Sequence, residues 1–388
     1  MNKFPLPGLI AGLAVWLLVL SLPGCQTAER ISPDPVSQSD SVVLYTTGQS
    51  LDTPARRYVA VYWENQRLHR LEMGTARETG CYGLQKQGND LYIAGYFVDP
   101  DDDRTKPCYW QNGRKIDLPL PGDLAFDKAG ARDLVFFQGA LYLLGDIDFQ
   151  PVLWKIQPGS APKRIVLKGS PQAVAGGELS TGNLAVYNNQ LFVGGVQVLE
   201  TDGQPVVHPG YWTVDPNDIV RFEETDNQPV KSLSFFILPS EQGVFIAGER
   251  NDLRDRSAPT PTIWKNKTRF SLHQPVDPAS QRLHEMALDS RGNLHLNILD
   301  YRRQLPVVWQ VSPTGAVTET LLPVPTGSTR AFCQNLALHD DTPFYSGSYE
   351  LNGDFHACFW IGNQRTEMET LNGGFLTLAR TIAVPVKN

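Results

Sequence analysis

The chain has no cluster of basic residues able to neutralise a row of phosphates, and its net charge is −7, so nucleic acid is set aside as a partner. Its N-terminal apolar run, residues 8–20, falls short of the roughly 20 residues that cross a bilayer. Charged residues are sparse at 19%, and 33 Gly with 29 Pro favour many turns and short strands over long charged helices. Several signatures of catalysis are missing as well. No Gly-x-Ser-x-Gly elbow, Walker loop or dinucleotide fingerprint occurs. His284-Glu285-Met286-Ala287-Leu288 begins like a zinc-protease motif but lacks the second histidine, and no Cys-x-x-Cys or paired histidines mark a zinc site. Asp99-Pro100-Asp101-Asp102-Asp103 lacks the sixth-position glycine and twelfth-position glutamate of a calcium-binding EF-hand loop. It reads either as a solvated acidic loop or as a weak cation site at Asp99, Asp101 and Asp103. No catalytic set, cofactor or metal is otherwise legible.

What the sequence does hold is a repeat. Leu141-Tyr142-Leu143-Leu144-Gly145, a polar gap, then Val152-Leu153-Trp154-Lys155 reads as two short strands joined by a loop. Aligned on the glycine that closes each apolar run, the series is Gly48, Gly95, Gly145, Gly195, Gly248, then Ile298 in place of a glycine, then Gly347. The tryptophans beyond residue 24 interleave with it without a miss at 63, 110, 154, 212, 264, 309 and 360. Steps of 47 to 53 residues with several strands each are the mark of a β-propeller, one repeat to a blade.

Within the third repeat the four strands fall at 132–137 (A), 141–145 (B), 152–156 (C) and 163–167 (D). Gly88-Asn89, Gln138-Gly139, Asn188-Asn189 and Asn112-Gly113 supply the positive φ that tight hairpins need. The ends of the chain settle the count. Residues 379–384 read as a strand A with no strand B after it, and residues 42–47 as a strand B with no strand A before it. Pairing them closes both sheet edges. The expected fold is therefore all-β: a seven-bladed β-propeller over residues 41–388, four antiparallel strands to a blade, closed by its N- and C-terminal strands. A solenoid is the alternative, but it needs capping repeats rather than complementary half-blades. One tryptophan per strand C is expected to pack between neighbouring sheets rather than to stack on a sugar.

Residues 1–24 read as a signal peptide that ends in Leu22-Pro23-Gly24-Cys25. This resembles the lipobox of bacterial lipoproteins. The resemblance implies that Cys25 becomes the first mature residue and carries the lipid, so that the chain meets the membrane through this anchor. In the same family an Asp after the cysteine marks inner-membrane retention; Gln26 stands here, which implies the outer membrane, on its periplasmic face. Residues 25–40 are polar, with Pro33 and Pro35, and are expected to be a flexible tether.

Four further cysteines take equivalent positions in two repeats. Cys81 and Cys333 start strands A; Cys108 and Cys358 precede their tryptophans by two residues. An exported chain meets an oxidising compartment, so disulfides Cys81 to Cys108 and Cys333 to Cys358 are expected, arching over strand B, with four buried thiols as the alternative.

In a propeller the loops from B to C and from D to A share one face, and the starts of the A strands ring the channel mouth there. The alignment places Arg132, Asp133, Asn183, His284, Glu285, Gln334, Asn335 and Arg380 at that mouth, a candidate ligand-binding site whose alternative is plain solvation of the channel. Longer B-to-C gaps at 96–107, 196–209 and 249–261 lie on the same face, where variable loops on a rigid frame carry recognition. Tyr109-Trp110-Gln111-Asn112-Gly113 and Trp264-Lys265-Asn266 resemble the Tyr-Trp-Lys-Asn-Gly repeats of bacterial propeller lipoproteins. That likeness implies shape rather than activity. The function expected is a lipid-anchored periplasmic binding or scaffolding module for a protein or glycan; the alternative is a hydrolase or lyase at the channel mouth.

Overall fold

The computed structural model describes residues 42–52, 55–122, 126–169, 180–201, 204–225, 236–250, 260–273, 280–371 and 376–385. The expected signal peptide, Cys25 and the tether lie outside the described residues.

Twenty-eight strands form seven four-stranded sheets, with no helix among the described residues. The protein is an all-β, seven-bladed β-propeller. Six blades are consecutive meanders, and the remaining one, blade 1, is assembled from both ends of the chain. In it Leu376–Pro385 runs antiparallel to Val42–Asp52, with Val43 opposite Val384 and Thr47 opposite Arg380. The expected pairing of 379–384 with 42–47 is therefore met residue by residue.

Blades 2 to 7 begin with the strands Glu78–Gln87, Ala129–Phe137, Ser180–Tyr187, Phe236–Ser240, Gln281–Leu288 and Arg330–His339; Leu376–Pro385 does the same office for blade 1. Each of these A strands touches the next all the way round, which puts them on the wall of the channel. The hairpin residues adopt the backbone their types suggested: φ is 52° at Gln138, 72° at Gly139, 53° at Asn112 and 82° at Gly113.

The repeat follows from one packing arrangement. In most blades strand A carries a bulge, an extra residue that turns the strand and leaves a carbonyl leaning on strand B. The strand B glycine sits under that carbonyl and under the tryptophan of strand C. A Cβ on Gly145 would stand 2.0 Å from the Gly130 oxygen and 2.7 Å from the Trp154 ring; on Gly95 it would stand 2.2 Å from the Gly80 oxygen and 2.7 Å from Trp110. No side chain fits there.

The seven tryptophans of the repeats are fully buried. As expected, they pack between sheets. Their indole N–H groups also tie blades together: Trp110 donates to the Glu72 carbonyl (2.7 Å), Trp154 to Pro119 (3.0 Å), Trp212 to Lys168 (2.6 Å) and Trp360 to Pro323 (2.8 Å), each in the blade before. Trp63 donates to Glu369 (2.6 Å) and so ties blade 1 to blade 7. Trp309 differs, donating to the Glu319 carboxylate of its own blade (2.9 Å). Its blade is the one with Ile298 in the glycine position.

Two expectations are corrected. The four cysteines are free buried thiols, not disulfides. Cys81 and Cys108 both face Gly95 from opposite sides, as Cys333 and Cys358 face Gly347, so a whole strand separates each pair. Two strand spacings, about 9.6 Å, exceed the reach of a disulfide. Cys81 instead directs its thiol at the carbonyls of Gly48 (2.9 Å) and Val61 (3.3 Å) in blade 1. The second correction concerns the gap 196–209, which is no loop. Strands Gln190–Thr201 and Gln204–Val214 stay paired out to Thr201 opposite Gln204. Val196 and Val198 are buried on one face of this extended hairpin, and Gln197 and Val206 on the other.

Candidate functional site

The bulges decide where the channel-mouth residues go. In blade 3 the register passes from Ala131 opposite Gly145 to Asp133 opposite Leu144, leaving Arg132 as the extra residue. A bulge breaks the alternation of the pleat. Arg132 and Asp133 consequently serve different neighbours: Asp133 reaches forward to blade 4, and Arg132 reaches back to blade 2.

The forward-reaching residues form a ring of bonds between blades. Asp133 accepts from the Leu184 N–H (2.8 Å), and Glu285 accepts from the Leu336 N–H (2.7 Å). Asn183 grips Ile237 on both sides, accepting from its N–H (2.7 Å) and donating to its carbonyl (3.1 Å). Gln334 accepts from the Leu378 N–H (3.3 Å). Between blades 7 and 1 the link is a chain of hydroxyls and an amide. Asn335 donates to Ser346 (3.4 Å), Ser346 meets Thr381 (2.6 Å), and Thr381 meets Thr46 (3.0 Å). The ring is buried: Asp133, Glu285, Asn335 and Thr381 are all under 7% exposed.

Arg380 crosses this ring. Its guanidinium donates to Glu285 at 2.8 Å, from blade 1 past blade 7 to blade 6. Burial pushes the Glu285 carboxyl up to about 6, with the Arg380 charge and the Leu336 N–H pulling it down and the Asp133 charge adding to the rise. Burial lowers the neighbouring His284 imidazole below its usual value, against a hydrogen bond that the ring donates to the Gln334 backbone. The His284 ring lies 6.0 Å from that of Phe236. Thus the structure does bring Asp133, Glu285 and Arg380 together, but both Glu285 oxygens are spent on the protein.

The backward-reaching residues build something different. Arg132 pairs through Nε with Asp146, and its guanidinium lies 5.8 Å from the Tyr82 ring centroid. Tyr82 and Tyr96 stand 5.8 Å apart at 35°. With Thr105, Lys128, Ala129, Gly130, Asp148 and Phe149 they line a 260 Å³ pocket between blades 2 and 3, on the loop-bearing face. Tyr96 is fixed by its hydroxyl on Gln49 (3.2 Å). Of the candidate channel-mouth residues only Arg132 belongs here, joined by Tyr96 and Thr105 from the gap 96–107; Tyr82, Asp146 and Phe149 were not legible as site residues. The signal available was the short gap after Gly145, which forces a tight turn at Asp148-Phe149.

Of the three candidate cation ligands in the acidic loop, Asp99 and Asp103 are paired with basic side chains. Asp99 and Asp102 both bond Lys106, and Asp103 pairs with Arg77. Their charges are answered by side chains, and among the described residues no group of three His, Cys, Asp or Glu gathers to bind a metal.

No protein-family model matches the chain, and no curated protein matches it by sequence. Solved structures do match, at low identity. Apo AztD from Citrobacter koseri is 12% identical, with 89% of this chain and 98% of that one covered and a TM-score of 0.39. A Trypanosoma rangeli sialidase with the inhibitor DANA is 11% identical over 76% of this chain and 56% of that one, with a TM-score of 0.46. The Pyrococcus horikoshii acylaminoacyl peptidase is 10% identical over 75% and 46%, also with a TM-score of 0.46. The chain spans about half the length of these last two proteins. Likeness at this level carries no argument about what the chain does.

Proposed function

We propose that this chain is a lipid-anchored periplasmic module that binds a protein or glycan on the loop-bearing face of its propeller, held at the outer membrane through Cys25. One observation carries the reading. The charged and amide groups of the channel wall are consumed by bonds between blades, whereas the pocket between blades 2 and 3 keeps polar and aromatic groups open on a rigid frame. The resemblance of Leu22-Pro23-Gly24-Cys25 to a lipobox supports the anchor. A hydrolase or lyase at the channel mouth draws no support from this arrangement, since its best acid, Glu285, is 5% exposed and doubly bonded.

Two measurements test this. Metabolic labelling with an alkynyl fatty acid marks the wild type and not Cys25→Ser; labelling of neither contradicts the anchor. Affinity purification of the full chain from native membranes recovers a partner that Arg132→Gln fails to retain; recovery of no partner that depends on this face contradicts the binding role.

A further inference from the structure

Among the described residues, the Arg132–Asp146 pair is only half used. Arg132 spends Nε on Asp146 Oδ1, which leaves its terminal nitrogens and Asp146 Oδ2 without protein partners beside the pocket. The Tyr82 hydroxyl is likewise uncommitted, and its ring centroid lies 5.8 Å from the guanidinium. The pocket therefore displays a fork of donors next to an acceptor, over a wall made of two tyrosine rings.

Phe149 adds a second observation. It lies in the two-residue turn between strands B and C of blade 3, where both Asp148 (φ 46°) and Phe149 (φ 65°) are left-handed. Asn-Gly suits such a turn, and a phenylalanine there costs free energy. The ring is not repaid by burial, since it is 59% exposed on the pocket rim. The turn is held in place by Asp148, which accepts from the N–H groups of Asp127 and Lys128 (3.0 Å each) and donates its own N–H to the Lys128 carbonyl (2.8 Å). An aromatic ring kept in a strained backbone, pinned and exposed beside an open donor–acceptor pair is what a bound partner would use.

The chemistry narrows the ligand. Lys128 and Arg132 balance Asp146 and Asp148, so the lining favours neither an anion nor a cation. An apolar ligand would strip water from Arg132 and Asp146 and return nothing. A sugar ring answers both parts: adjacent hydroxyls donate to Asp146 and accept from Arg132, and its C–H face lies on an aromatic ring. At 260 Å³ the pocket is just below the range of about 300–1,000 Å³ typical of drug-sized ligands, which suits one ring with the rest of a chain in solvent. We infer that this pocket binds a terminal neutral sugar of a glycan. The inference rests on the binding-module reading and goes further by naming the ligand class.

Saturation-transfer NMR on the full chain with the methyl glycosides of glucose, galactose and mannose, with N-acetylglucosamine, and with methyl phosphate as the phosphate probe tests it. At least one sugar gives transfer, phosphate gives none, and Phe149→Ala and Arg132→Gln each weaken the sugar by about tenfold or more while melting at the wild-type temperature. Absence of transfer from every sugar, transfer from phosphate alone, or sugar binding indifferent to both substitutions overturns the inference. A partner recovered from membranes in an Arg132-dependent way despite such a result overturns the sugar assignment and leaves the binding module standing.

Discussion

Arg380, on the last strand of the chain, donates to Glu285 at 2.8 Å across the channel, so the strand that closes the ring is also the strand that neutralises its buried acid. The pair spans blades 1 and 6 and passes blade 7. It makes the polar lining of the channel part of the closure of the fold.

The first prediction is a pH dependence. Burial raises the Glu285 carboxyl from its ordinary 4.5 to about 6. The folded protein thus binds more protons than the unfolded chain between pH 4.5 and 6, and this group's contribution falls as pH rises through that window. Its size is about 2 kcal/mol, at about 1.4 kcal/mol for each unit. Glu285→Gln keeps the acceptor for the Leu336 N–H but does not titrate. Relative to wild type, the variant gains about 2 kcal/mol of stability between pH 4.5 and 7, read from denaturant unfolding at both values. All other titrations are common to the two proteins and cancel.

Gly145→Ala is expected to destabilise the protein by about 1–3 kcal/mol, because the added methyl meets backbone at 2.0 Å and the Trp154 ring at 2.7 Å. Gly122→Ala is the matching control. Its Cβ would meet nothing within 4 Å, and the change should stay within about 0.5 kcal/mol.

Trp110→Phe leaves the Glu72 carbonyl without its 2.7 Å donor and should cost about 0.5–1.5 kcal/mol beyond the loss of ring area. Trp309→Phe removes a similar ring, but Glu319 keeps its two bonds from Arg303 at 2.5 and 3.1 Å. Chemical denaturation of the two variants should therefore rank Trp110→Phe as the more damaging.

The four thiols should be inert in the native state. Burial pushes Cys81 up to about 12 and raises Cys108, Cys333 and Cys358 as well, so little thiolate exists at neutral pH. A thiol-titrating reagent should find none of them before unfolding and all four after, and a reductant should leave the melting temperature unchanged.

The fold was legible because its main packing contact uses residue types that stand out in a sequence. Gly145 can be nothing larger beneath Trp154, and Val42–Asp52 with Leu376–Pro385 left two half-blades that only each other complete. The site was legible only in part. Arg132 and Asp133 were placed at the start of a strand that in fact begins at Ala129, and a bulge between Ala131 and Asp133 sends them to opposite neighbours; periodicity carries no trace of that slip. Tyr82 belongs to another bulge, and Tyr96, read as the first residue of the gap 96–107, lies within the strand Asp90–Val98. The cysteines misled for a related reason: equal positions in two blades pointed to paired chemistry, while the strand through Gly95 keeps the thiols apart.

The division between a channel that holds the ring together and a pocket that recognises a ligand is tested most directly by measuring both properties on two variants. Thermal unfolding and sugar binding should be read side by side for Arg132→Gln and Arg380→Met. Arg132→Gln should lose binding and melt with the wild type; Arg380→Met, which leaves Glu285 buried and unpaired, should melt several degrees lower and, while folded, bind as the wild type does. The opposite pattern, binding lost at Arg380 and stability lost at Arg132, would contradict the account.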